Sequence, residues 1–138
     1  MRMLLASFLV LGLSACGSGS NDPSWSLEVT KADKIAGCSP VAHIKNLATA
    51  TTNNLEIEIG AGGKTHLATF ENVRPGATQT FDMFSLATPG KTCAEFPTEA
   101  KVQRVPNCLV GGQKVADDKC MAALKLESTM PGAVTLTK

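Results

Sequence analysis

Residues 55–73 read "LEIEIGAGGKTHLATFENV", and the fold follows from how this stretch is read. Leu55, Ile57 and Ile59 alternate with Glu56 and Glu58. A period of two puts successive side chains on opposite faces, so this is a strand with one buried and one wet side. "GAGG" lacks the helix and Lys of a phosphate-binding loop and reads as a hairpin turn, with "KTHLATFENV" as the returning strand. Glu56 and Glu58 fall on the outward face, where a solvated role is expected rather than a catalytic one.

Outward from this hairpin the same period recurs. In "WSLEVT" (25–30), Trp25, Leu27 and Val29 alternate with Ser26, Glu28 and Thr30. "PVAHIKN" (40–46) is a strand of poorer pattern. In "TQTFDMFSL" (78–86), Phe81 and Met83 share a face while Phe84 and Leu86 fall on the other, which predicts a bulge or a strand covered on both sides. "CMAALKLE" (120–127) reads as a strand with Cys120, Ala122, Leu124 and Leu126 together. "CAEFPTEAK" (93–101) allows one turn of helix, interrupted by Pro97. Turn signals lie between at intervals of about ten residues: "TTNN", "RPGA", "TPGK", "VPN", "GG" and "DD". No run of twelve or more residues carries a helical stripe. Short strands so evenly punctuated predict an all-β protein, a small antiparallel β-sandwich spanning 25–138.

Composition agrees. The 138 residues suit one domain, and 43% hydrophobic with 18% charged residues suits a globular chain. Aromatics make up only 4%, with no Tyr, so the core must rest on aliphatic side chains. A net charge of +1 without any basic block disfavours nucleic acid as a partner.

The N-terminus carries a different signal. Arg2 precedes an apolar stretch from Met3 to Leu13, too short to span a bilayer, which takes about 20 residues. This is the layout of a secretory signal, closed by Ser14 and Ala15. Leu13-Ser14-Ala15-Cys16 resembles the lipobox of bacterial lipoproteins. The resemblance implies that residues 1–15 are removed, that Cys16 receives a diacylglycerol, and that it becomes the first mature residue with an acylated amine. It implies a lipid-anchored protein of the cell envelope. Gly17, standing where an Asp marks inner-membrane retention in that family, points to the outer membrane facing the periplasm. Removal of 1–15 takes away Arg2 and no acid, leaving 12 basic and 12 acidic side chains. Residues 17–24, "GSGSNDPS", then read as a flexible tether.

A second resemblance concerns the domain. "HIKN", a loop, "LEIEI" and then "NVRPGATQTF" are similar to small immunoglobulin-like domains of bacterial envelope proteins, where an Asn-bearing strand precedes a loop and a V-x-P-G turn leads into the next strand. It implies an immunoglobulin-like sandwich and carries no function.

With Cys16 lipidated, Cys38, Cys93, Cys108 and Cys120 remain. In an oxidising compartment four cysteines read as two disulfides, with three possible pairings. Cys108 with Cys120, closing a small loop around Gly111-Gly112, and Cys38 with Cys93 are favoured. A metal or redox site is the competing reading, but no C-x-x-C occurs and no His adjoins a Cys. His43 and His66, with the thioethers of Met83, Met121 or Met130, compose a copper-type donor set without the short spacing such sites use. No G-x-S-x-G occurs, and neither Glu56/Glu58 nor Asp117/Asp118 forms a selected acid pair. The expectation is therefore a non-enzyme with no cofactor beyond its lipid, no bound metal and no small-molecule substrate. Its partners would be the membrane and an envelope protein. "GAGGKTH", "ATPGKTCAEFPTEA" and "GGQKVADDK" are the candidate binding loops, and Trp25 is expected in the core. The leading function is an interaction module or accessory component of an envelope or secretion assembly. The alternative is a small inhibitor or immunity lipoprotein that plugs a cell-wall hydrolase with a disulfide-clamped loop.

Overall fold

The computed structural model describes residues 21–138. Residues 1–15, the lipobox and Cys16 lie outside the described residues. The two predicted alternating strands at Trp25 and Leu55 become the spines of two sheets. One contains β1 (Trp25–Lys34), β2 (Gly37–Asn46), β5 (Thr78–Asp82), β6 (Thr88–Pro89) and β9 (Leu124–Leu126). Its order is β5-β2-β1-β9, with β6 beside β2. The other contains β3 (Thr52–Ala61), β4 (Lys64–Val73), β7 (Glu99–Val110), β8 (Gln113–Lys114) and β10 (Thr135–Thr137), in the order β10-β7-β3-β4 with β8 beside β7. The two sheets pack as a sandwich, and the pairings are antiparallel except β1–β9 and β7–β10.

The inner faces are those the period predicts. Trp25, Leu27, Val29 and Ile44 from the first sheet meet Leu55, Ile57, Ile59 and Phe70 from the second, all buried. The single tryptophan is fully buried, and its Nε1–H donates to Thr52 Oγ1 across the sandwich at 2.8 Å. An indole buried at 0% exposure needs such a partner, because an unpaired N–H would cost about 1–3 kcal/mol. Asn46, also fully buried, ties one end of the sandwich together. Its side chain donates to Ala50 O and Val73 O and accepts from Ala48 N–H. The "RPGA" turn closes on the same residue, with Gly76 N–H donating to Asn46 O.

Four sequence expectations are corrected. The first concerns "VPN" (105–107), which lies inside the twelve-residue β7 rather than in a turn. Between the pairs Glu56↔Asn107 and Glu58↔Arg104 the register shifts, so two residues of β7 oppose one of β3. Pro106 sits in that bulge, where its missing N–H costs no ladder bond. The second concerns Cys120–Ala123, the end of helix α1 (Asp117–Ala123); only Leu124–Leu126 of the predicted strand is extended. Two acids in the first turn and two alanines in the last favour the helix. The third follows from it: Asp117 and Asp118 form that first turn, not a β-turn. The fourth concerns "TQTFDMFSL", where β5 stops at Asp82 and Phe84–Leu86 forms a 3₁₀ turn. The change of face there is a strand end, not a bulge.

Candidate functional site

The strand registers give the sandwich two unlike ends. Trp25 pairs with Asn46 and Lys34 with Gly37, so β1 enters at one end and the β1–β2 hairpin turns at the other. The hairpin of β3 and β4 turns at the hairpin-tip end as well, since Lys64 Nζ reaches Ala87 O at 3.4 Å beyond the 3₁₀ turn. Gly62 and Gly63 have φ of 58° and 75°, the left-handed pair that a two-residue hairpin demands.

That far end is apolar and braced. Ile35, at the tip of the β1–β2 hairpin, is fully exposed, and Phe84 is 72% exposed. Between them Ala36, Gly37, Ser39, Phe84, Ala87 and Pro89 line a hollow of about 220 Å³. The Cys38–Cys93 disulfide bridges β2 to the loop behind it, and Cys93 N–H donates to Asp33 Oδ1 at 3.0 Å. Ser39 Oγ donates to Asp82 Oδ1 at 2.7 Å, while Lys34 forms an ion pair with the same carboxylate. Glu95 accepts from Thr92 N–H. Gly37 is required here: its φ is 130°, and a Cβ would stand 2.3 Å from Thr88 O.

Asp33, Asp82 and Glu95 are thus engaged internally, while Lys64, Lys91 and Glu99 are exposed around the apolar surface. Among the described residues that line it there is no His or free thiol, and the Ser39 hydroxyl is donated to Asp82. What the arrangement can do is bury apolar area against a matching surface without first ordering itself.

Two of the three predicted binding loops meet here: "GAGGKTH" and "ATPGKTCAEFPTEA". The third, "GGQKVADDK", lies at the opposite end, where Gly111 N–H donates to Thr51 O and Asn21 bonds Gln113. Sequence reasoning passed over the Lys34–Gly37 tip and Phe84. The available signal was an isoleucine stranded among Lys, Asp and Gly in "DKIAG".

Both favoured disulfides are present, Cys38–Cys93 and Cys108–Cys120. Asp33 lies within metal-ligand range of the first pair, but both sulfurs are consumed by the bridge. His43 and His66 are not brought together. His43 lies on the outer face of the first sheet, 2.7 Å from Thr30 Oγ1 and paired across β1–β2 with Glu28. It lines a hollow of about 170 Å³ with Glu28 and Met130. His66 sits on β4, bonded to Ser85, with Phe81 tilted against its ring and Phe84 edge-on to it. Met83 is buried in the core. Burial lowers the pKa of both imidazoles, and for His43 the Glu28 charge offsets part of that. Glu58 and Arg104 form an outer-face ion pair that raises the arginine further.

A further hollow, about 420 Å³, runs along the outer face of the second sheet between Gly60–Thr65 and Glu99–Gln103. Its wall is open and of mixed polarity, with no convergent donor set. Comparison of the chain with protein-family models, with curated proteins and with solved structures found no match.

Proposed function

We propose that this chain is a lipid-anchored envelope protein that acts as a protein-interaction module, with the braced apolar end as its contact surface. The observation that carries the reading is the exposure of Ile35 and Phe84 on either side of an apolar hollow pinned by Cys38–Cys93. Large apolar side chains on a rigid support are the usual anchors of an interface. With Lys64, Lys91 and Glu99 exposed around it, this end has a rim of mixed charge, and the partner suited to it carries an apolar projection with a polar surround. Two disulfides fit an oxidising compartment, in line with the signal and lipobox at residues 1–16. The lipid on Cys16 supplies the membrane attachment.

The described residues modify the tether. Ser24 O accepts from Leu47 N–H at 2.8 Å and Asn21 bonds Gln113, so Asn21–Ser24 lie on the domain. Only residues 17–20 then separate Cys16 from it, a reach of at most about 18 Å from Cys16 to Asn21.

The test is capture from crosslinked envelopes followed by titration of the purified partner. Ile35→Asp with Phe84→Asp should weaken binding at least about tenfold, equivalent to 1.4 kcal/mol. Undiminished binding by the double variant would remove this end as the interface. The inhibitor reading is favoured by one feature, the fully exposed Ile35 on a braced hairpin, which suits a cleft. Loss of a hydrolase's activity on binding, abolished by Ile35→Asp alone, would select it.

A further inference from the structure

The edges of the two sheets are unequal. β5 has five residues, β9 and β10 three each, but β4 runs for ten and, among the described residues, pairs only with β3. Its register with β3 is continuous from Asn54↔Glu71 to Ala61↔Lys64, and it contains no proline. Long straight edges are normally blunted by Pro, bulges or charges in mid-strand. Between Thr65 and Phe70 β4 carries none of these, because the irregularity at Asn72 (φ 51°) and both charges, Lys64 and Glu71, fall towards its ends.

The hairpin geometry decides which backbone groups are free. A two-residue turn at Gly62-Gly63 makes Ala61 and Lys64 a hydrogen-bonded pair. Alternation then directs the N–H and C=O of Lys64, His66, Ala68 and Phe70 to β3, and those of Thr65, Leu67, Thr69 and Glu71 outward. An independent contact agrees: Gln79 Nε2–H donates to Glu71 O at 2.7 Å from outside the sheet. Thr65, Leu67 and Thr69 remain, presenting three donors and three acceptors in line. At their centre Leu67 is 44% exposed on the outer face.

We infer that β4 pairs with β4 of a second copy of this chain, antiparallel about Leu67, to form a two-fold dimer with one continuous sheet. This register is self-complementary. Leu67 faces Leu67 of the second copy and exchanges both hydrogen bonds with it. Thr65 faces Thr69 and Thr69 faces Thr65. In this register Lys64 faces Phe70 of the other copy and no two like charges stand side by side, whereas in-register parallel pairing would set Lys beside Lys and Glu beside Glu. A β4–β4 seam satisfies six backbone groups on each copy and covers the leucine. It uses the side of the sandwich and leaves the Ile35 tip open.

The test uses the full chain, purified in mild detergent, with its mass read by light scattering corrected for detergent. The parent should weigh as a dimer. Leu67→Lys should have half that mass with an unchanged far-ultraviolet circular dichroism spectrum, since an exposed edge position tolerates lysine. Two single variants test the register. A mixture of Thr65→Cys and Thr69→Cys chains should form an oxidised crosslinked dimer, and Thr65→Cys alone should not. A parent that is monomeric at every concentration reached overturns the inference, even if it captures a strand from another protein. A dimer that survives Leu67→Lys and fails to crosslink also overturns it.

Discussion

Glu28 is an outward residue of β1 by its period, yet only 4% of it is exposed. The reason is the segment after β9, which folds back over the first sheet. Thr129 N–H, Thr129 Oγ1–H and Met130 N–H all donate to the Glu28 carboxylate. Farther along, Val134 N–H donates to Val29 O and Ala133 bridges to Thr30. A charged acceptor with three donors holds the strap more firmly than neutral bonds would. Glu28→Ala should cost at least about 2 kcal/mol in denaturant unfolding. Amide exchange should accelerate at residues 128–134 before it does in β3; unchanged exchange there would show that the carboxylate does not hold the strap. His43, the cross-strand neighbour of Glu28, gives the pH dependence its sign. Its folded pKa is lowered by burial, as is that of His66, so near pH 6.5 the unfolded chain takes up protons before the folded one does. Above about pH 6.5 both states are neutral at these imidazoles and stability is unaffected. As pH falls from there towards the lowered folded values, stability should decline. His43→Gln with His66→Gln should flatten that decline in unfolding midpoints measured between pH 7 and 5, and a parent slope retained by the double variant would rule out the imidazoles as its cause.

The strands at 25–30 and 55–59 were legible because each has one dry and one wet face, so burial writes itself into alternation. β7 was hidden for the opposite reason. Pro106 looks like a break to any local reading, and only the bulge against β3 shows why a strand tolerates it. Helix α1 was hidden because seven residues with Cys, Met and Ala alternate no worse than they turn. Its conformation is settled by Cys120 being held to Cys108 on β7. The two disulfides were legible as pairs but not in their roles. Cys108–Cys120 spans 12 residues at the end where the chain enters, and Cys38–Cys93 spans 55 at the apolar end. Each should contribute about 2–4 kcal/mol, more for the longer loop if chain entropy dominates. Function separates them. Cys108→Ser with Cys120→Ser should lower the unfolding midpoint and leave partner affinity within about twofold, a difference below 0.5 kcal/mol. Cys38→Ser with Cys93→Ser should lower both, because it frees the loop behind the hollow. Equal losses of affinity in the two double variants would argue against the far end as the interface.

At the scale of the molecule, the candidate site owes its place to connectivity rather than to any motif. Residues from β1, β2, the 3₁₀ turn and β6 converge on it, and none is marked in the sequence as belonging with the others. The proposed lipid anchor, by contrast, is read from the sequence alone, and the fold would set the two in opposition. The chain enters at Trp25, and β1 rises for ten residues before turning at Ile35. At about 3.3 Å per residue this puts the apolar tip roughly 30 Å from the point of entry. Asn21–Ser24 are held against Leu47 and Gln113 at the entry end, so a lipid on Cys16 would keep that end near the bilayer and direct the tip away from it. A tip that inserted into the same membrane would require the domain to invert on four residues. The two arrangements differ in a measurable way. With the lipidated chain in vesicles, a fluorophore on Ser24→Cys should be strongly quenched by a quencher carried on the lipid headgroups. The same fluorophore on Ile35→Cys should be spared, because contact quenching does not reach across a strand of that length. Cys16→Ala should abolish quenching at residue 24 and release the chain from membranes with its two disulfides intact. Strong quenching at residue 35 would mean that the apolar end is a lipid-binding surface and that the protein-partner reading is wrong.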